Sequence, residues 1–451
     1  MFEPFYASAL AQSPSGRTVL STLVYESILM SDVFRPDPSF ETPKAKAERR
    51  RKASTSLSGT NLERAGDYNQ RVVLQAIRIQ GLVTRAELAR ITGLTAPAIA
   101  NITKRLLQEG LVSEAGRLTG LRGQPAMKLT INPDGCVSIG VNIDRDHITV
   151  LLLDLQGRVR ARCSREAELG SPEAAVQIVR DMTDALLIEA RGTFSVGTGP
   201  KMIGTGIALP DDLGRIRLPA GHLEDAWRSV DVARLFVEVL PGPVFIENDA
   251  AAAAIGELQF GHGLDFQSFF YILISAGLGG GLVVEGDYFR GANGRSGEIG
   301  FLPVQSERTT AKSLQEAVSL SALYADLAGH GIQVSRPQQL EHLGKSGEAL
   351  IAAWLDTAAE LLTVPLLSVV WLVNPAAILL GGRLPERLMD DLASRLNARL
   401  LQAAPDAPTL APVRRALTSA DAPAIGAAIL PFLNRLLPSR ANLMKTADIH
   451  N

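Results

Sequence analysis

Asn248 and Asp249 stand side by side at the start of an alanine-rich stretch. A carboxylate within hydrogen-bond reach of a hydroxyl can take its proton, whereas Asn or Asp at a helix start can instead satisfy orphan backbone N–H groups. The residues alone leave both uses open. Gly277, Gly279, Gly280 and Gly281 lie between two strand-like apolar runs. Such glycines let backbone N–H groups close on a phosphate, and they serve equally in a hairpin turn. Gly381 and Gly382, after another strand-like run, are similarly divided between adenosine contact and strand–helix packing. Glu298 is flanked by Gly297, Ile299, Gly300 and Phe301, apolar surroundings in which a carboxylate needs a partner. Glu316 read alone is a solvated charge.

A second chemistry sits upstream. From 71 to 79 the apolar spacing is helical, Thr84 opens a second helix, Gly93 and Leu94 make a short turn, and a third helix follows from about Thr95. A wing strand begins at 110–112. Leu88, Ile91, Leu94, Ile99, Ile102 and Leu106 supply a tri-helical core, with small Ala86 and Ala89 where helices cross. This is a winged helix-turn-helix, whose third helix presents Thr95, Ala96, Ala98, Asn101 and Lys104 to a DNA major groove. Asn101 can pair bidentately with adenine, and the alanines can meet thymine methyls. Pro97 lies in the first turn, where its missing N–H costs nothing. Between 67 and 130 there are nine Lys/Arg against four Asp/Glu, in a chain whose net charge is −2. The excess suits a phosphate backbone.

The elements that must position the downstream residues are strands and helices in alternation. Strands are expected at 137–144, 147–157 and 158–168, a helix at 171–190, a buried strand at 202–208, a helix at 230–240, a short strand at 244–246 and the alanine-rich helix from Asn248. A second set runs through strands at 269–275 and 281–289, helices at 313–330 and 346–373, a strand at 377–382 and a helix at 385–402. Two similar β-β-β-α-β-α lobes with a cleft between them result. At 451 residues the chain can bury two or three cores. Cys136 and Cys163 are far apart with no CxxC spacing, which indicates neither a disulfide framework nor zinc and fits a reducing cytoplasm. No run is expected to reach the roughly 18 to 20 apolar residues of a membrane span, and the first thirty residues lack the basic n-region of a signal peptide. The organisation expected is a disordered leader at 1–66 with a basic run at 44–52, a DNA-binding domain at 67–133, an effector domain at 134–437 and a tail at 438–451.

Over about 67–437 the chain resembles the ROK family (repressor, open reading frame, kinase). The resemblance is carried by VFIENDAAAAAIGE, SAGLGGGLVVEGDYFRGANGRSGEIG, NPAAILLGG and TRAELARITGLTAPAIANITKRLLQEGLV. It implies an α/β fold: a winged helix-turn-helix joined to a two-lobed, actin-like ATPase (ribonuclease H-like) domain. It also implies sugar contact by Asn248, Asp249, Glu298 and Glu316, with Gly277 and Gly279 at the ligand and Asp249 as the base in kinase members. In the wing the family pattern places an arginine in the minor groove, and here the tip reads Arg122, Gly123, Gln124, Pro125. Arg122 and Gln124 are therefore the candidates there, with the arginine shifted or replaced.

Two family features are lost. The kinase turn, an aspartate followed by Gly-Gly-Thr, is replaced by Asn142, Ile143, Asp144, Arg145 and Asp146. Two acidic groups would then face an anionic phosphate tail, and Asp144 would fill the space phosphate needs. The zinc module is missing as well: Phe301 stands for its histidine, and SERTTAKS stands where its cysteines would be. The expectation is a cytoplasmic repressor of carbohydrate genes, a homodimer or dimer of dimers, that binds operator DNA and a sugar effector, with no membrane, metal, cofactor or catalysis. The alternatives are a sugar kinase with an accessory DNA-binding domain, or a DNA-binding protein with a vestigial cleft.

Overall fold

The computed structural model describes residues 62–117, 126–167, 171–195, 199–210, 227, 231–292 and 294–439. Residues 1–61 of the expected leader, its basic run, the wing tip with Arg122 and Gln124, and the tail beyond 439 lie outside them, whereas 62–66, expected in the disordered leader, begin a helix.

The N-terminal part holds α1 (Leu62–Gln80), β1 (Val83–Thr84), α2 (Arg85–Thr92), α3 (Ala96–Gln108), β2 (Val112–Arg117) and β3 (Met127–Ile131). Each break has a local cause. Thr84 and Glu87 form a reciprocal capping box that starts α2. Gly93 ends it at φ +70°, the left-handed conformation that terminates a helix without a Cβ penalty. Thr95 caps α3, accepting from the Ala98 amide at 3.4 Å. Leu88, Ile99 and Leu106 are fully buried, whereas Ile91, expected inside, is exposed. The three strands form an antiparallel sheet in the order β1-β3-β2.

The first lobe contains β4 (Cys136–Ile143), β5 (His147–Asp154), β6 (Val159–Glu166), α4 (Pro172–Ala190), β7 (Lys201–Leu209), α5 (Val232–Val237), β8 (Val244–Asn248) and α6 (Asp249–Phe260). Its sheet order is β6-β5-β4-β7-β8, antiparallel through β6, β5 and β4, then parallel. The second lobe contains β9 (Phe269–Ile274), β10 (Leu278–Val284), β11 (Asp287–Tyr288), α7 (Leu314–Ala317), α8 (Leu320–Gly329), α9 (Lys345–Val373), β12 (Ala377–Gly382), α10 (Glu386–Ala403) and β13 (Val413–Arg415). Its order, β11-β10-β9-β12-β13, repeats the same plan.

Several expectations are corrected. The helix expected at 313–330 is broken at Val318 and Ser319, because Ser319 caps α8 with its hydroxyl on the Ala322 amide. The helix expected at 230–240 is confined to α5, Val232–Val237. Helix α9 does meet the length and composition of a membrane span, but half of its apolar window is buried in the protein, with Trp354, Leu355, Leu362 and Leu366 in the second lobe's core. A helix not anticipated, α11 (Ala422–Arg435), returns to the first lobe and packs on α6, β7 and β4. One apolar cluster joins Val73, Leu74 and Ile77 of α1 to Leu151, Ile255, Ala428 and Phe432. The DNA-reading candidate and the first lobe thus share a core.

Candidate functional site

Strand β8 runs directly into α6, so the strand end delivers Asn248 and Asp249 to the space between the lobes. Asn248 caps the helix, its Oδ1 accepting from the Ala251 amide at 3.0 Å. Asp249 is buried, and its Oδ1 accepts from the Ala250 amide at 2.7 Å. Both line one small cavity of about 30 Å³ together with Gly277, Gly279, Glu298, Phe301 and Arg145. Capping and cavity lining are therefore simultaneous, since the cap uses one face of each side chain. Glu316 lies elsewhere: it is exposed, and its carboxylate accepts from the Lys312 amide at 2.8 Å. Its neighbour Gln315 lines the cavity instead, because consecutive helical residues point about 100° apart.

The glycines divide between two roles. The turn is short, closed by the Ser275 amide on the Gly277 carbonyl at 3.0 Å, and Gly279, Gly280 and Gly281 lie within β10. A Cβ on Gly279 or Gly281 would come within 2.7 Å of Ala250 or Ala254 of α6. The run therefore seats a helix on a strand and is not an open phosphate loop. Gly381 likewise leaves room for the Tyr271 ring and hydroxyl, which is packing.

The turn between β4 and β5 carries two arginine-centred clusters. Asp144 does not project into the cavity as expected. It accepts from Ser275 Oγ at 2.6 Å, from the Arg145 amide at 2.8 Å and from Arg145 Nη1 at 3.3 Å. Arg145 reaches the cavity instead, close enough that a Cβ on Gly277 would be 2.9 Å from its Nη1. Across the lobes, Arg383 Nη1 donates to Asp146 Oδ2 at 2.9 Å and lies 3.0 Å from His147 Nδ1, while Nη2 binds Glu166. His147 Nδ1 is also 2.8 Å from Asp146 Oδ1, and Asn142 Nδ2 lies 3.2 Å from His147 Nε2. Asp144, Asp146 and His147 bring ligand atoms within 4.8 Å of one another, a spacing a cation can use. Arg145 and Arg383 already supply positive charge at that place. The two acids of this turn are thus neutralised by arginines, and neither faces the cavity as a bare charge. Sequence reasoning named Arg145 only as part of the altered turn and missed Arg383, because only the fold brings Arg383 to that turn.

Burial alone pushes the Asp144 carboxyl up, but the Arg145 and His147 charges, the Ser275 hydroxyl and the Arg145 amide hold it below the usual carboxylate range. A depressed folded value means stability that is present above about pH 4 and is lost as pH falls through the folded value. The advantage of the protein over Asp144→Asn in urea titrations should therefore shrink as pH falls below about 4. An advantage that grows on acidification would contradict this assignment.

On α3, Ile99, Thr103 and Leu106 face inward, and Thr95, Ala96, Asn101 and Lys104 are exposed. Ala98, expected on the outer face, is half-buried, and Ala100 is exposed in its place. The shift follows from Ile99 setting the buried direction of the helix. Arg105 is exposed too, but its Nη1 donates to Gln70 Oε1 of α1 at 2.9 Å.

Two lobes of one topology around a cleft define the actin-like ATPase class. The ROK family model matches residues 138–432, and the chain belongs to the ROK family. It is similar to the xylose repressor of Bacillus subtilis, 30% identical over 236 residues that cover 52% of this chain and 60% of that protein. It is also similar to the DNA-binding transcriptional dual regulator NagC of Escherichia coli, 23% identical over 76% of this chain and 88% of that protein. Among solved structures, a ROK family transcriptional regulator, a homologue of the E. coli MLC protein, superposes with a TM-score of 0.60 at 20% identity over 85% of this chain and 100% of that one.

Proposed function

We propose that this chain is a transcriptional repressor of sugar genes, in which residues 67–133 read operator DNA and the cleft of residues 134–437 binds a sugar or sugar derivative. The observation that carries the reading is the turn at Asp144–Asp146, which lacks the aspartate and glycines of the family's kinase turn and whose carboxylates are held by Arg145 and Arg383. A cleft that keeps Asn248, Asp249 and Glu298 without the kinase turn fits recognition without phosphoryl transfer. The relatives named as repressors support the same division. In this reading α1 to α3 with β1 to β3 are the winged helix-turn-helix, α3 enters the major groove, and two copies present two readers to half-sites about one helical turn or a multiple apart. Such a regulator works inside the cell, where its DNA is.

Effector binding changes the relation between the lobes, and the response of DNA affinity is the differential affinity of the sugar for the two arrangements. The experiment has two readouts on one preparation. With magnesium, ATP and a sugar panel, no sugar-dependent ADP release is expected. A rate on the order of 1 per second or faster would mean a kinase. With a duplex selected by the protein from a random pool, at least one sugar of the panel is expected to change operator affinity about 5- to 150-fold. A specific duplex that no sugar affects would remove the effector from the reading.

A further inference from the structure

Helix α6 has one end in the cleft and the other against the DNA-reading candidate. Its first turn presents Asn248 and Asp249 to the cavity. Ten to twelve residues later, about 15 to 18 Å along the axis, its last turn carries Gln259 and Phe260. Arg78 of α1 closes on that last turn. Its Nη2 donates to Gln259 Oε1 at 2.5 Å and its Nη1 to the Gln259 carbonyl at 3.4 Å, and its guanidinium lies 5.0 Å from the centroid of the Phe260 ring. Gln75 braces the same contact, accepting from Arg78 Nε at 2.9 Å and donating to Gln259 Oε1 at 3.4 Å. Burial pushes the Arg78 guanidinium down to about 10, which leaves it charged near neutral pH.

Helix α6 also touches both lobes at close range. On one side a Cβ at Gly426 of α11 would lie 1.6 Å from the Ala252 carbonyl, and on the other Gly279 and Gly281 of β10 admit Ala250 and Ala254. Every residue from Asp249 to Glu257 is buried. A helix packed this closely cannot absorb a change at the cleft by local repacking, so displacement of one lobe acts on it as a rigid body. Beside the shared apolar cluster, a further polar tie between α1 and the first lobe is different in kind. Arg71 Nη1 donates to the carbonyls of Asn434 at 2.8 Å and Leu437 at 3.3 Å, at the far end of α11, and neither residue lines the cavity.

Resting on the repressor reading above, we propose that α6 is the transmission element between effector cleft and DNA reader, and that Arg78 with Gln259 and Phe260 is its coupling. Arg71 anchors the reader without transmitting.

Hydrogen exchange on the full chain tests this without a ligand, using Asp249→Asn as a disturbance at the cleft end. In the otherwise native protein, Asp249→Asn should change amide exchange across 68–80 by about twofold or more, since local opening reports small shifts in stability. In the Arg78→Met background, and independently in Gln259→Ala, that transmitted change should disappear, while in Arg71→Met it should persist. Two coupling variants guard against one of them merely loosening the fold. No change across 68–80 on Asp249→Asn, or a change that survives in both coupling variants, overturns the proposal. A second arm uses D-xylose and N-acetyl-D-glucosamine as probes with the selected duplex. Where a probe shifts operator affinity in the native protein, Arg78→Met should reduce that shift to less than about twofold, with sugar affinity itself retained. A full shift in both Arg78→Met and Gln259→Ala overturns the coupling. If neither probe acts on the native protein, the effector reading loses support for those sugars, and the exchange result still decides the role of α6.

Discussion

Arg383→Met should destabilise the protein by about 3 kcal/mol, seen as a lower denaturant midpoint. The guanidinium is 8% exposed and is the cation between Asp146 and Glu166, each 29% exposed. Methionine keeps the apolar stem and removes the charge, which leaves two carboxylates facing each other across a partly dehydrated gap. Breaking one partner out of a buried ionic cluster costs about 3 to 5 kcal/mol, and the partial exposure of both acids places this case at the low end. Arg415→Met is the matched comparison. Arg415 pairs with Glu386 and Asp390, which are 70% and 58% exposed, so its loss should cost less than about 1 kcal/mol. Equal effects of the two substitutions would mean that the Arg383 cluster is no more than a surface ion pair. Because Arg383 follows β12 and its partners sit on the turn before β5 and on β6, the same variant also loosens the tie between the lobes. Its sugar-free DNA affinity should therefore differ from that of Arg415→Met even at equal folded fraction.

Asn101→Ala should weaken binding to a specific operator by about 1 to 3 kcal/mol, roughly 5- to 150-fold, and leave nonspecific duplex binding nearly intact. Asn101 is exposed on the face of α3 opposite Ile99 and Leu106, so truncation removes no packing and the stability of the fold should hold. A bidentate amide contact to adenine carries sequence information, whereas phosphate contacts carry affinity and its salt dependence. Lys104→Ala supplies the contrast. It should weaken all duplexes alike and reduce the slope of log affinity against log salt by about one. Titrations of both variants against the selected duplex and a scrambled one decide between them. Normal operator binding by Asn101→Ala would show that a different face of α3 reads the groove, and exposed Ala100 marks where that face would lie.

The elements legible from the sequence are those whose cause is local. Thr84 with Glu87, Gly93 and Thr95 each set a helix boundary through hydrogen bonds or backbone conformation within a few residues, and the strands at 136–143 and 269–274 are apolar runs buried on both faces. The pair Asn248-Asp249 could be placed at a helix start for the same reason. What failed was directional. Glu316 and Gln315 differ by one position along a short helix, and only the docking of α7 decides which of the two meets the cavity. Gly279 to Gly281 can line a turn or a strand, and the choice is made by α6, whose alanines need the missing Cβ atoms.

By itself the sequence determined the inventory: which residues can cap, bury, read a base or accept a proton, and that the phosphate turn had lost its glycines and aspartate. Tertiary structure alone decided which charges meet. Asp144 and Asp146 read as exposed repulsion toward a ligand until the fold brings Arg145 over Gly277 and carries Arg383 to within 2.9 Å of Asp146 from 237 residues away. The physical reason is that periodicity and capping depend on neighbours along the chain. The sign of the field at a buried site depends instead on groups a few ångströms away in space, whatever their separation in sequence.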